Sequence, residues 1–439
     1  MIDNNVFHNK KVVFHTLGCK LNFAETSAIG KTMLDEGFVK THAGEEADVC
    51  VINTCSVTDT ADRKCRQAIS KLHRQHPRAT MVVTGCYAQL KPEEVSRIEG
   101  VDLVLGANEK FNILEYIRHA DASNPKVIFT TKINKIKNFE PSCSRDDRTR
   151  YFLKVQDGCD YYCTYCTIPF ARGRSRSANV SQTIAKALEA IEVGAKEIVL
   201  TGVNIGDFGR QSGESFFDLV QAFDAIQADV RFRISSIEPN LLTDEIIEFV
   251  AQSKRIMPHF HIPLQAGTNE VLTLMKRKYN RELFAHKVSK IKSLMPDAFI
   301  GVDVIVGVHG ETDGLFEDSC SFIDGLDISQ LHVFTYSERA GTKMLDLENP
   351  TPLPERKKRS DVLHALSDKK WQHFYESQQG KTYPVLWESK KIDDSMVGFT
   401  TNYVKVSRPY DKNRINTLEI AKLGTWNADK SALVAKTIN

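Results

Sequence analysis

The stretch Asp157-Gly158-Cys159-Asp160-Tyr161-Tyr162-Cys163-Thr164-Tyr165-Cys166 decides how this chain is read. It follows an apolar run at 151–156 with the look of a strand, and it spaces three cysteines as C-x3-C-x2-C. A run this tight can wrap three thiolates around one inorganic core, and thiolate donors suit iron-sulfur chemistry. Three protein ligands leave one iron of a cubane 4Fe-4S cluster open. A structural zinc site wants four donors and a disulfide framework wants an even set, and both stand as alternatives to the cluster.

The rest of the composition frames that motif. A chain of 439 residues divides into about three domains of ordinary size. Hydrophobic residues at 41% and charged residues at 26% are those of a water-soluble protein. A net charge of +2 leaves any nucleic-acid contact to a local patch. The N-terminus at 1–10 is polar, and no uncharged apolar run is long enough to cross a bilayer, so a cytoplasmic protein without a membrane partner is expected. In that reducing setting ten cysteines point to metal or redox chemistry. Cys50, Cys65, Cys143 and Cys320 fit no cluster motif and read as ordinary cysteines.

In residues 1–145 strand-like runs at 11–15, 48–53, 80–84 and 102–105 alternate with helix-like ones at 22–36, 59–75, 92–98 and 109–119. This predicts an α/β domain with a doubly wound parallel sheet. Three of the strands end alike, in Gly18-Cys19, Asn53-Thr54-Cys55 and Thr84-Gly85-Cys86. Parallel strands point one way, so the three cysteines are expected along one sheet edge, where such folds hold ligands. Glycines before Cys19 and Cys86 let the backbone turn sharply there. Three core cysteines are the alternative.

A basic linker at 132–150 sets the boundary of a second domain, 146–345. Strands are expected at 151–156, 197–201, 231–235, 258–264, 299–306 and 331–336, with helices between. Six strands with crossovers predict a partial (β/α)6 barrel of TIM type, with its site at the strand C-terminal ends where the cysteine loop also lies. A long charged helix at 355–377 occupies a linker segment, 346–380, and 381–439 shows short alternating strands at 384–388, 396–400, 403–406 and 417–421. These predict a small antiparallel β-barrel. Trp387, Phe399 and Tyr403 beside Lys405 and Arg408 suit stacking on unpaired bases, or else they fill the barrel, the reading preferred for Trp387.

The cysteine loop resembles the signature of the radical S-adenosylmethionine (radical SAM) enzymes, in which the cofactor chelates the open iron. Gly18-Cys19-Lys20-Leu21-Asn22, Asn53-Thr54-Cys55-Ser56-Val57-Thr58 and Gly85-Cys86-Tyr87-Ala88-Gln89 resemble the N-terminal motifs of the methylthiotransferases within that superfamily. The C-terminal strands resemble the RNA-binding TRAM domain. The resemblance implies two 4Fe-4S clusters: one on Cys159, Cys163 and Cys166, reducing S-adenosylmethionine to methionine and a 5'-deoxyadenosyl radical, and an auxiliary one on Cys19, Cys55 and Cys86, carrying the sulfur. It further implies cofactor contacts at strand ends: Thr201, Gly202 and Asn204 for the methionine part, Ser235 and Glu238 for the ribose, Tyr165 and Val306 for adenine, and His261 and Gln265 beside them. Each of these also fits an ordinary turn or a satisfied structural residue.

His309 stands where the family usually has proline, and Ala266 where it usually has serine. The arginines of Arg172-Gly173-Arg174-Ser175-Arg176 could face phosphate or the cofactor carboxylate, or be solvated. No catalytic acid or base is nominated. The residues after the first two N-terminal cysteines are most similar to the threonylcarbamoyl branch, which acts on threonylcarbamoyl adenosine in tRNA. The isopentenyl branch usually has Gln-Met after the first cysteine, and the branch acting on a ribosomal-protein aspartate usually has Pro-Lys. The expected partners are a tRNA anticodon stem-loop and an electron donor such as flavodoxin or ferredoxin. The rival is a non-catalytic iron-sulfur or RNA-binding protein, which would normally give each cluster four ligands.

Overall fold

The computed structural model describes residues 7–119, 127–144 and 149–438. The boundary expected between 145 and 146, and part of the polar N-terminus, lie outside the described residues.

Six parallel strands form the first sheet: β1 (Lys11–Thr16), β2 (Val39–Lys40), β3 (Val49–Thr54), β4 (Thr80–Gly85), β5 (Leu103–Leu105) and β6 (Val127–Phe129), in the order β2-β1-β3-β4-β5-β6. Two of them, the short β2 and β6, were not expected from sequence. Each is an edge strand of two or three residues, too short to show a period. Between strands lie α1 (Lys20–Asp35), α2 (Asp59–Gln75) and the short α3 (Cys86–Leu90). Thr58 caps α2, its hydroxyl accepting from Ala61 N. The segment expected as one helix at 109–119 starts as a 3-10 turn, Glu109–Asn112, before the helix Ile113–His119.

The second unit begins inside the stretch taken as a linker. Ser142–Cys143 is strand β7, and it pairs antiparallel with β8 (Arg150–Lys154). The basic composition hid it, since only two residues pair. After β8 comes a small ribbon of β9 (Gln156–Asp157) and β10 (Arg176–Ser177) that ties down the two ends of the cysteine loop. The remaining strands are β11 (Glu197–Thr201), β12 (Arg231–Ile234), β13 (His259–Gln265), β14 (Phe299–Val306) and β15 (Gln330–Thr335). The six long strands β8, β11, β12, β13, β14 and β15 run parallel in two sheets, β12-β11-β8-β7 and β13-β14-β15. The sheets meet through the single bridges Phe232 to Ile256 and Ser236 to His261, which makes one open, partial barrel.

Alternation along these strands sorts the side chains. Leu153, Ile198, Leu200, Phe232, Ile234, Phe260, Ile262, Val302 and Val304 face the helices in one large core. Arg150, Lys154, Glu197, Arg233, His259, His261, Asp303 and His332 occupy the alternate positions, so the barrel interior is polar.

The helix Leu353–Ser377 leads to a closed five-stranded barrel of β16 (Thr382–Ile392), β17 (Ser395–Thr400), β18 (Lys405–Pro409), β19 (Leu418–Trp426) and β20 (Leu433–Thr437). The fifth strand was not expected. This barrel sits against the N-terminal ends of the central strands. Arg231 donates to Pro384 O and Phe399 O, Arg233 donates to Thr400 O and Thr401 O, and Arg150 lies over the Phe399 ring at 4.2 Å. Trp387 is wholly buried and donates to Glu419, so it fills the barrel. Tyr403 stacks on Phe399 and packs on His259 and Phe299, so these two rings close the floor of the central barrel and are not free for bases. Arg408, over the Trp387 ring, is taken by Glu419.

The first sheet docks on the other end through charges. Glu25, on α1 and fully buried, meets Lys110 at 2.7 Å, Lys154 at 2.9 Å and Arg172 at 3.1 Å. Asp157, at the mouth of the cysteine loop, meets Lys154, Arg172 and Arg176 at 2.9 to 3.0 Å. Two of the three loop arginines are therefore neither solvated nor turned to a ligand; only Arg174 is exposed, near Asp160. Ala24 packs with Phe152 and Val199 on the inner face of the barrel, so α1 covers its open side.

Burial alone would raise the Glu25 carboxyl, but Arg172, Lys110 and Lys154 overcome it and hold the group well below the usual carboxylate range; Asp157 is depressed in the same way. A depressed pKa stabilises the fold fully above the unfolded value near 4, and the gain is lost as pH falls through the folded value. We expect Glu25→Gln to cost about 3–5 kcal/mol at pH 7, because it strands buried cations. In urea denaturation, the gap between the variant and the parent should shrink only once pH falls below the ordinary carboxylate range.

Candidate active site

The three cysteines of the loop lie where β8 ends, beside the end of β11, since Lys154 pairs with Thr201. Gln156 fixes the loop. Its Nε2 donates to Asp157 O, Gly158 O and Ser175 Oγ at 2.7 to 2.9 Å, and its Oε1 accepts from Val203 N and Asn204 N. Gly158 has φ +72, and a Cβ there would meet Arg174 O at 2.1 Å, so only glycine fits this turn. Burial pushes the Cys159 and Cys166 thiols up to about 12 and raises Cys163. Thiols held protonated in this way release the proton when they bind a metal.

Cys159, Cys163 and Cys166 line one cavity of about 340 Å3, together with Tyr165, Ser236, Glu238, Gln265, Asp303 and Ile305. A larger hollow of about 630 Å3, lined by Phe14, Phe23 and Lys31 among others, carries no cysteine. Arg277 reaches the thiol cavity from the loop after Leu274. It donates to Cys163 Sγ at 2.9 Å and to Tyr165 Oη at 3.3 Å, and it pairs with Glu238. Burial raises the Glu238 carboxyl and Arg277 opposes that rise.

Of the nine residues expected to meet a cofactor, Tyr165, Glu238 and Gln265 line this cavity. Gln265 takes a left-handed backbone, φ +66, and its Oε1 has no partner. Thr201, Asn204 and Ser235 are buried at strand ends just outside it, with Asn204 Oδ1 and Ser235 Oγ also unpartnered. At Gly202 a Cβ would meet Gln156 O at 3.0 Å. His261 turns to Asp303, with Nε2 2.7 Å from Oδ1. Val306 points into the core and its carbonyl accepts from Tyr336 N, so its neighbour Ile305 is the side chain that reaches the cavity. His309, at the family's usual proline, is buried with Nδ1 3.0 Å from Leu347 O, and Ala266 is buried in an apolar cluster. Neither lines the cavity.

Sequence reasoning missed Gln156 and Arg277. Arg277 sits in Lys276-Arg277-Lys278, which reads as an exposed basic turn; only the fold turns its guanidinium inward.

The second cysteine set lies on the first sheet. Cys19 is the residue before α1, Cys55 follows β3, and Cys86 opens α3 after β4. Gly18 has φ +99, and a Cβ on it would lie 2.7 Å from Cys55 Cβ, so its bareness lets these two cysteines approach. Burial pushes the Cys55 thiol up to about 12 and raises Cys86, where Arg172 opposes the rise. Val57 and Thr58, just past Cys55, line the same cavity as Cys159, Cys163 and Cys166. That loop is pinned to the barrel by Arg339, which is buried and donates to Ser56 Oγ and Asp62 Oδ2 at 2.8 and 2.9 Å.

A three-thiol loop at the C-terminal end of the first strand of a partial β/α barrel is the architecture of a radical SAM protein. Comparison with known proteins agrees. The family model of the radical SAM superfamily matches residues 153–323, and the model described as uncharacterized protein family UPF0004 matches residues 11–106. A threonylcarbamoyladenosine tRNA methylthiotransferase of Bacillus subtilis (strain 168) is 40% identical, covering 90% of this chain and 89% of that protein. Its namesake in Aquifex aeolicus (strain VF5) is 35% identical over 91% and 96%. A tRNA-2-methylthio-N(6)-dimethylallyladenosine synthase of Desulfitobacterium hafniense (strain Y51) is 30% identical over 93% and 94%. Among solved structures, the radical S-adenosylmethionine methyltransferase TsrM of Kitasatospora setae superposes with a TM-score of 0.56 at 12% identity, covering 74% and 73% of the two chains, a likeness of fold. The chain belongs to the radical SAM methylthiotransferase family. Membership implies a 4Fe-4S cluster and S-adenosylmethionine, and three thiols on one cavity with unpartnered polar atoms beside it fit that pair. Among the described residues no helix is long and apolar enough to cross a membrane.

Gly85 gives a test of the second cysteine set. It has φ +98, and a Cβ would meet Thr54 O at 2.4 Å. Gly85→Ala is expected to displace Cys86 and lower iron bound after anaerobic reconstitution, read by iron analysis, with the absorbance of the Cys159, Cys163, Cys166 site retained.

Proposed function

We propose that this protein converts N6-threonylcarbamoyladenosine beside the tRNA anticodon to its 2-methylthio derivative, with a second, auxiliary 4Fe-4S cluster on Cys19, Cys55 and Cys86. The observation that carries the reading is that the loop after Cys55 and the loop of Cys159, Cys163 and Cys166 line one cavity. When bound, the two clusters and S-adenosylmethionine would supply sulfur, methyl transfer and one-electron chemistry at an unactivated carbon.

The chain's own part is to hold and to exclude water. Glu238 would accept from ribose hydroxyls, Tyr165 would lie against adenine, with the backbone at Val306 nearby, and Gln265 and Ser235 would use their unpartnered atoms on the cofactor. Thr201, Gly202 and Asn204 would bound its methionine end. Arg277 would keep Glu238 charged and Cys163 polarised. His261 takes no proton in this scheme and is held by Asp303. A division at 1–145, 146–345, 346–380 and 381–439 assigns sulfur delivery, cofactor chemistry, a strut and a tRNA contact in turn. An electron donor such as flavodoxin or ferredoxin would reach the loop cysteines, and the cytoplasm, where tRNA is modified, is the expected compartment.

The reading is tested by anaerobic reconstitution, iron counting and nucleoside mass spectrometry after adding dithionite, S-adenosylmethionine and tRNA bearing threonylcarbamoyladenosine. We expect about eight irons per chain and a methylthio mass gain. Modification of isopentenylated tRNA alone would move the substrate to the branch of the Desulfitobacterium relative. In the same assay Cys159→Ala combined with Cys163→Ala should leave about four irons and no product.

A further inference from the structure

The interior of the central barrel holds a cluster of polar side chains to which the proposed cofactor chemistry gives no task. Its walls are the inward positions of β13, β14 and β15. His261 and His332 approach to 5.1 Å between ring centres, and His261 binds Asp303 at 2.7 Å. They can meet because the strand between them carries Gly301. A Cβ there would lie 3.4 Å from His332 Nε2 and 3.9 Å from His261 Cδ2. The floor is Tyr403 with Arg150 and Arg233. On the open side α1 brings in Lys20, its half-buried first residue, one turn before Ala24, which packs against Phe152 and Val199 on the inner face of the barrel. The cluster borders the thiol cavity, since Asp303 lines that cavity, and Asp303 and His261 keep 18% and 22% of their side-chain surface.

The cations here are not alike. Arg150 is paired with Glu388, Arg231 and Arg233 with Glu197, and Lys154 with Glu25 and Asp157. Lys20, directly after Cys19, has no carboxylate within ion-pair distance among the described residues. His261, Asp303 and His332 place three donor atoms within 4.8 Å of one another, as a metal site would. A lysine carried on the helix over this open side opposes an added cation and favours an added anion.

Resting on the tRNA substrate proposed above, we propose that Lys20, with His332 and the His261–Asp303 pair, is the subsite for the threonyl end of the threonylcarbamoyl group. The ammonium of Lys20 takes the carboxylate, and the imidazoles and Asp303 offer N–H and oxygen partners to the hydroxyl. An isopentenyl group offers neither charge nor hydrogen bond and would leave the ammonium unpaired in a half-buried site, which is how a polar site rejects an apolar analogue.

The test uses anticodon stem-loops carrying either threonylcarbamoyladenosine or its neutral methyl ester. Binding to reconstituted full-length protein is measured alongside methylthiolation. The parent protein should prefer the free acid by about ten- to hundredfold. Lys20→Gln should bind acid and ester within about twofold of each other, and Lys20→Arg should restore the preference, a coupling that a merely structural role would not produce. Iron content of each variant checks assembly; Lys20→Met, which keeps the stem, replaces Gln if iron is lost. A Gln or Met variant that keeps the full preference for the acid would overturn the subsite while leaving the substrate reading intact. A parent protein that leaves the acid-bearing stem-loop unmodified would sink both.

Discussion

Everything in this structure hangs on a carboxylate buried where two units meet. Glu25 has no exposed surface, and three cations from three different segments close on it: Lys110 from the 3-10 turn after β5, Lys154 from the first barrel strand and Arg172 from the helix after the cysteine loop. Asp157 repeats the pattern one residue before the loop turns. Such groups cost several kcal/mol to desolvate, and they are tolerated only when the geometry is complete. The network is therefore a register device. It sets α1, with Cys19 at its head, against β8, with Cys159 at its end, and neither can shift without stranding a charge.

Arg172 ties the helix that follows Cys19 to the loop of Cys159, Cys163 and Cys166. It stands six residues after Cys166, donates to Asn22 Oδ1 at 2.6 Å, and its charge opposes the rise of the Cys86 thiol. A second pin, Arg339 on Ser56 and Asp62, fixes the loop after Cys55 to the loop after β15. Between them these arginines bring Val57 and Thr58 onto the cavity of the other three cysteines.

The sequence made the strand ends legible because a parallel sheet projects its C-terminal ends along one edge. Spacing was enough to place Cys19, Cys55 and Cys86 together, and glycine chemistry explained Gly18 and Gly85. What it hid were side chains whose role depends on tertiary contact. Arg172 and Arg176 stood open between a ligand and solvent, Arg277 carried no signal, and Gln156 stood as the last residue of a strand, yet each is a partner for the loop cysteines or the backbone around them. The two-residue strands β2 and β7 and the three-residue β6 escaped because a period of two cannot be counted in so few residues. The fifth strand of the small barrel, Leu433–Thr437, escaped for its position at the chain end, where no turn signal closes it.

The C-terminal barrel shows how a residue set can be read correctly for chemistry and wrongly for address. Phe399 and Tyr403 do stack, and Arg150 and Arg233 do lie over them, but the partners are the barrel floor and each other. With its aromatic loop turned inward, this module leaves Lys390, Lys391, Lys412, Lys422, Lys430 and Lys436 exposed. Lysines on a flexible stem contact phosphate and carry little base information. On the proposed reading, contact with tRNA at this end would be electrostatic positioning, and selection among modified adenosines would fall to the polar cluster bordering the thiol cavity, where Lys20 lacks an ion-pair partner among the described residues.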